Sequence, residues 1–215
     1  MRSPILALAV SLAVSLASPV AHAQEPERVI MKLDEFLKLY EKNRAEETQA
    51  PIDFAISSAR YQGEVQLRDG EPYAAVFTAR LRIDVLRSKG FVKVPVLPAT
   101  VALESAKIGA VEADVVIENG FYTLVTAQRG ALILDLTFGV GITSAEGASG
   151  LSFQLVPAGA TTAQLSVPAR EDLDFTVTSA KLQSDKVVGD KRVVEATLPS
   201  TGSLAIQWQR EIPKA

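Results

Sequence analysis

The sequence predicts a mainly β protein: an antiparallel β-sandwich of roughly a dozen strands, preceded by one amphipathic helix. Three observations carry that reading. From Asp53 to the end, apolar residues recur at every second position, the period of a strand with one buried face. Only one stretch, near the N-terminus, has the helical period. The composition is also aliphatic, with 47% hydrophobic but only 6% aromatic residues, and its 13 glycines punctuate valine-rich runs, which suits pleated packing.

Before any of these elements comes an export signal. Arg2 supplies the positive start, Ile5 to Leu16 the apolar run, and Ala21-His22-Ala23 the small-residue cleavage site, so residues 1–23 are expected to be removed. The only histidine of the 215 residues, His22, falls in that signal, and there is no cysteine. The mature chain therefore lacks the side chains for a Ser-His-Asp or Cys-His nucleophile, a zinc site of imidazole or thiolate, attached haem, an iron-sulfur cluster or a disulfide. No cofactor is expected. Nor can the chain carry a lipid on cysteine, and no later apolar run approaches the roughly 20 residues of a membrane helix. A net charge of −3 without a basic cluster argues against nucleic acid as a partner. The expected destination is the periplasm or the exterior of a bacterial cell.

Residues 24–51 read as an N-terminal segment holding the helix. Leu33, Phe36, Leu37 and Tyr40 lie at i, i+3, i+4 and i+7, a stripe that should be buried. Asp34 and Glu35 sit in the first turn, where the helix dipole favours carboxylates, and Pro51 ends the segment. Residues 52–215 read as the sandwich. Its clearest strands alternate through Leu132, Leu134, Leu136, Phe138 and Val140, and through Ala75, Phe77, Ala79, Leu81, Ile83 and Val85. Asn119-Gly120 predicts a type I′ hairpin, and Gln128-Arg129-Gly130 a second turn, so that 114–117, 121–127 and 131–142 form a meander. Asp69-Gly70 predicts a comparable turn. Lys93 and Pro95 mark 91–97 as an edge strand. The small, polar stretch 143–150 predicts a long loop or a joint, and further short strands follow around 151–155, 163–167, 173–177, 193–198 and 204–208.

Candidate chemistry is sparse. Asp172 and Asp174 project from one strand face and are the candidates for holding a hard cation, but a solvated face is the favoured reading, since a calcium loop offers more oxygens and a glycine turn. Glu104, Glu112, Asp114 and Glu118 are the carboxylates from which a glycosidase pair could be drawn. Serine-lysine catalysis has no Ser-x-x-Lys to work with, and Ser179-Ala180-Lys181 and Ser184-Asp185-Lys186 read as surface turns. Gly139-Val140-Gly141 ends a strand and does not open a helix, so it reads as a supple strand end, not a phosphate loop. Trp208, spaced evenly with Leu204 and Ile206, reads as core, with sugar stacking as the alternative.

Four short motifs, Val94-Pro95-Val96-Leu97-Pro98, Gly120-Phe121-Tyr122-Thr123-Leu124, Ala196-Thr197-Leu198-Pro199 and Leu204-Ala205-Ile206-Gln207-Trp208, occur in this order. Together they resemble the N-terminal β-rich region of large uncharacterised bacterial envelope proteins. The resemblance implies a cell-envelope role and supplies no catalytic residue; it also implies a stand-alone version, or a fragment, of proteins that continue beyond Trp208. The expected function is thus non-catalytic contact with an envelope protein or a glycan. A carboxylate-dependent glycosidase and a carbohydrate-binding module are the alternatives.

Overall fold

A computed structural model describes residues 31–43, 50–145, 147–168, 173–200 and 202–210. Residues 1–23, expected as an export signal, lie outside the described residues. Contacts divide the chain into two compact units, 1–45 and 46–215. The first contributes helix α1 (Leu33–Asn43), with Asp34 and Glu35 in its first turn. Its stripe does not form a core as expected: Leu33, Phe36 and Leu37 are 71%, 51% and 46% exposed. The side chain of Tyr40 lies outside the description. No helix among the described residues is long and apolar enough to cross a membrane.

The second unit is mainly β, as predicted. β1 (Phe54–Arg68) and β2 (Glu71–Val85) open it as a long hairpin, turned by Asp69 and Gly70 at φ of 54° and 87°. β3 (Val92–Pro98), β4 (Ala102–Ile108), β5 (Val111–Glu112), β6 (Val115–Glu118) and β7 (Phe121–Thr126) precede a second long strand, β8 (Gly130–Gly141). Then come β9 (Thr143–Ala145), β10 (Ala148–Gln154), β11 (Ala160–Pro168), β12 (Leu173–Thr178), β13 (Leu182–Val188), β14 (Lys191–Leu198) and β15 (Ser203–Arg210). They form an eight-stranded sheet in the order β13-β14-β11-β1-β2-β8-β4-β5, a four-stranded sheet β12-β15-β10-β9 and a three-stranded sheet β3-β7-β6. The described pairings are antiparallel except for β1 with β11, which run parallel. Asn119 and Gly120, at φ of 52° and 79°, turn β6 into β7 as the type I′ signal requires. β3, with Lys93 and Pro95, is an edge strand.

Three local expectations are corrected. The meander is broken, because β8 pairs with β2 and β4 and not with β7. Residues 74–85 of β2 offer β8 a partner of matching length and alternation, whereas β7 has six residues. Arg129 holds the crossing between sheets, its guanidinium donating to the carbonyls of Ser88, Gly90 and Ala127. The stretch 143–150, expected as a long loop or a joint, is not a loop: it forms β9 and the start of β10, paired across Gly147 at φ 83°. It is where the chain leaves the eight-stranded sheet for the four-stranded one. Ser184-Asp185-Lys186, expected as a turn, lies within β13, whose seven residues are all exposed.

The core lies between the sheets. Inward residues of β1, β2 and β8 meet those of β10, β12 and β15, and Val92, Val94 and Val96 of β3 with Leu124 of β7 join the same cluster. Trp208 is buried in it, as expected. At its centre Phe153 of β10 meets three rings of the large sheet edge-on: Tyr61 at 5.8 Å, Phe77 at 5.2 Å and Phe138 at 5.4 Å between centroids. Phe77 and Phe138, opposite each other on β2 and β8, stack at 5.5 Å. The Phe77 ring lies over Gly63 of β1, where an added Cβ would stand 2.5 Å from it. Elsewhere on the cluster's border, Thr161 buries its hydroxyl with no hydrogen-bond partner among the described residues.

Phe153→Ala should therefore cost about 3–5 kcal/mol in chemical denaturation. Gly63→Ala should cost about 1–3 kcal/mol, although alanine for glycine ordinarily stabilises a strand, because the Phe77 ring must move. A gain in stability for Gly63→Ala would refute the packing described. A second test uses pH. Burial pushes the Tyr61 phenol well above its ordinary 10.0, against a smaller opposing effect of a hydrogen bond with the Val156 backbone. Above pH 10 the unfolded chain loses this proton while the native one keeps it, so stability is full below pH 10 and falls as pH rises toward the native value. Tyr61→Phe should flatten that alkaline decline in urea-unfolding series; an unchanged slope would contradict it.

Candidate functional site

Strand alternation that buries Tyr61, Phe77 and Phe138 sends their neighbours to the opposite face of the eight-stranded sheet. There the registers align side chains into rows that cross the strands. One row runs Ser184, Glu195, Gln164, Gln62, Thr78, Thr137, Ser105, from β13 to β4. The next runs Leu182, Thr197, Thr162, Arg60, Arg80, Asp135, Lys107, Glu112, from β13 to β5. Every member of the first row carries a hydroxyl, amide or carboxylate, and Gln62 reaches Gln164 at 3.5 Å. The face is therefore a polar plane that can donate and accept hydrogen bonds across seven adjacent strands.

Its charges are mostly paired. Arg80 clasps Asp135 with two bonds, Nε–Oδ1 at 2.7 Å and Nη2–Oδ2 at 3.2 Å, and this raises the guanidinium's proton affinity further. Lys107 faces Glu112 at 3.4 Å, Lys186 meets Glu195 at 2.8 Å and Lys191 meets Glu64 at 2.6 Å. Hydrogen bonding to Glu64 likewise raises the Lys191 pKa. Pairs this exposed contribute little stability, so their consequence is a face with little net field. Two shallow clefts indent it: one of about 330 Å³ over β13, β14, β11 and β1, the other of about 350 Å³ over β1, β2 and β8. They meet at Arg60 and Gln62, which line both.

Of the carboxylates singled out from the sequence, only Glu112 falls in these rows, at the far end on β5. Glu112 is bound to Lys107 on the edge of the eight-stranded sheet, whereas Glu118 is bound to Lys93 at 2.8 Å in the three-stranded sheet. Glu104 and Asp114 are exposed, and none of the four lines either cleft. Asp174 is exposed on β12 opposite Gln209, and Asp172 lies outside the described residues. Among the described residues no group of three or more His, Cys, Asp or Glu is placed to hold a metal ion. Arg60, Gln62 and Gln164 were not candidates by sequence. The polar half of the alternation in β2 and β8 was visible, but the register that joins it to β1 and β11 was not.

No family model matches the chain, and no curated protein does. Among solved structures it is similar to an M1 zinc metallopeptidase from Deinococcus radiodurans, at 13% identity and a TM-score of 0.48, over 72% of this chain and 42% of that one. It is also similar to leukotriene A4 hydrolase from Saccharomyces cerevisiae, at 13% and 0.46, over 82% and 33% of the two chains. Legionella pneumophila aminopeptidase A matches at 12% and 0.47, over 75% and 22%. The chain spans less than half the length of each.

Because the outward side chains contact mainly solvent, the face should tolerate change. Gln62→Ala, Thr78→Ala and Thr137→Ala should each shift unfolding free energy by no more than about 0.5 kcal/mol. A loss of several times that amount for any of them in thermal or urea unfolding would show the row to be structural.

Proposed function

We propose that the chain is an exported, non-catalytic β-sandwich of the bacterial cell envelope, which acts by contact through the outward face of its eight-stranded sheet. The observation that carries this reading is the polar plane itself: rows of amide, hydroxyl and paired charge on seven adjacent strands, with two clefts meeting at Arg60 and Gln62. Ligand sites ordinarily combine concavity with a few convergent polar groups, and this face combines both. The separation of Glu112 and Glu118 into different sheets, each beside a lysine, supports contact over carboxylate catalysis. The export signal supports the location, with Gln24 as the first residue of the mature product.

The test is made in the producing cell. A photo-crosslinking amino acid at position 62 or 78 should give adducts, and the same group at Asp174, on another sheet, should not. The product's mass should correspond to a start at Gln24. Adducts confined to position 174, or hydrolysis of a glycoside abolished by Glu112→Gln or Glu118→Gln, would overturn the reading.

A further inference from the structure

On a face whose charges pair off, Arg60 stands out. Its guanidinium makes no hydrogen bond or ion pair among the described residues, and its cross-strand partner is another cation, Arg80, already committed to Asp135. Arg82, one step diagonally away on β2, also has no ion pair among the described residues; Asp84 follows it two residues on, on the same face. Three acidic side chains of this face are taken by other bases, Glu64 by Lys191, Glu195 by Lys186 and Asp135 by Arg80, while Asp84 stands opposite Ala55, five residues along β1 from Arg60. A protein of net negative charge thus keeps an uncompensated arginine where its two clefts join.

We propose that this face binds a linear acidic polysaccharide lying across the strands, with a uronate carboxylate held by Arg60 and sugar hydroxyls held by Gln62, Gln164 and Thr78. The inference rests on the contact function argued above and names its ligand. Arginine presents a planar fork of donors that fits a carboxylate with two parallel bonds, a geometry lysine cannot reproduce. The direction follows from spacing. Rows crossing the sheet repeat every 4.7–4.9 Å, so the row through Gln62 is about 29 Å long from β13 to β4. A pyranose unit of a linear glycan advances by a length close to that repeat. An extended peptide advances about 3.3 Å per residue and falls out of step with the rows. Gln62, Gln164 and Thr78 each offer a donor and an acceptor, as sugar hydroxyls require.

The experiment titrates the mature protein with oligogalacturonate, with its methyl ester, with a neutral cello-oligosaccharide and with polyglutamate, using calorimetry and amide NMR shifts. Oligogalacturonate should bind and shift residues around Arg60, Gln62, Gln164 and Thr78. Esterification and Arg60→Gln should each weaken binding about tenfold or more, as expected for losing a charge-assisted pair, and Arg60→Lys should restore it only in part. An unchanged melting temperature shows that Arg60→Gln is folded. Lys89→Gln, outside the rows, should have no effect. Equal binding of the ester, indifference to Arg60→Gln or preference for polyglutamate overturns the inference. If no probe shifts this face while crosslinks still form through position 62, the inference falls and the contact function stands; if the crosslinks are absent too, both fall.

Discussion

One ring inserted between sheets sets the architecture. Phe153 leaves the four-stranded sheet and sits edge-on among Tyr61, Phe77 and Phe138, which belong to the three adjacent strands β1, β2 and β8. The contact needs depth as well as surface, and Gly63 provides it, since a side chain there would collide with the Phe77 ring. Directly across on the other side, Gly63 faces Leu165 of β11, so the same position joins the antiparallel hairpin to the parallel strand. Without cysteine to staple it, the sandwich relies on such packing to fix which sheet lies over which.

That interior contact also determines the exterior. Gly63 opposite Phe77 makes Gln62 opposite Thr78, and Phe77 opposite Phe138 makes Thr78 opposite Thr137. A slip of one residue would place Gln62 and Thr137 in the core and Phe138 in water, a change that the aromatic cluster forbids. The polar rows are thus the outer expression of the core's register. They can vary in chemistry at small cost to folding, because the cost of misalignment is borne inside.

Much of this was legible in the sequence wherever a local rule operates. The alternation through Leu132 to Val140 and Ala75 to Val85 fixed two strands and both of their faces, Asn119-Gly120 fixed a hairpin, and Pro95 with Lys93 marked an edge. What failed were the long-range pairings. Gln128-Arg129-Gly130 has the composition of a turn, yet it carries the chain between sheets because β2 is the better partner for β8. β13 was missed because Leu182 to Val188 is exposed on both faces and so lacks alternation. The candidate site was invisible for a related reason: Arg60 and Gln164 lie 104 residues apart and meet only through a parallel pairing that no local pattern encodes.

Sheet edges give a reason why the proposed contact falls on a face and not on a rim. The edge strand β12 has its backbone occupied by side chains: Gln183 donates to the Phe175 carbonyl and accepts from the Val177 amide, and Arg192 donates to the Leu173 carbonyl. A carboxamide is the same shape as a peptide group, so Gln183 imitates a neighbouring strand for one residue and also ties β13 to β12. β3 is blunted by proline and lysine. β13 is the open rim of the large sheet, and it carries Asp185 and Lys186 at its middle, bound back to Arg192 and Glu195. A strand added there would have to cover two charges already engaged with β14, a cost that disfavours edge-to-edge growth. The broad face meets no such obstacle: its hydrogen-bonding groups already point outward, and most of its charges are neutralised by their neighbours.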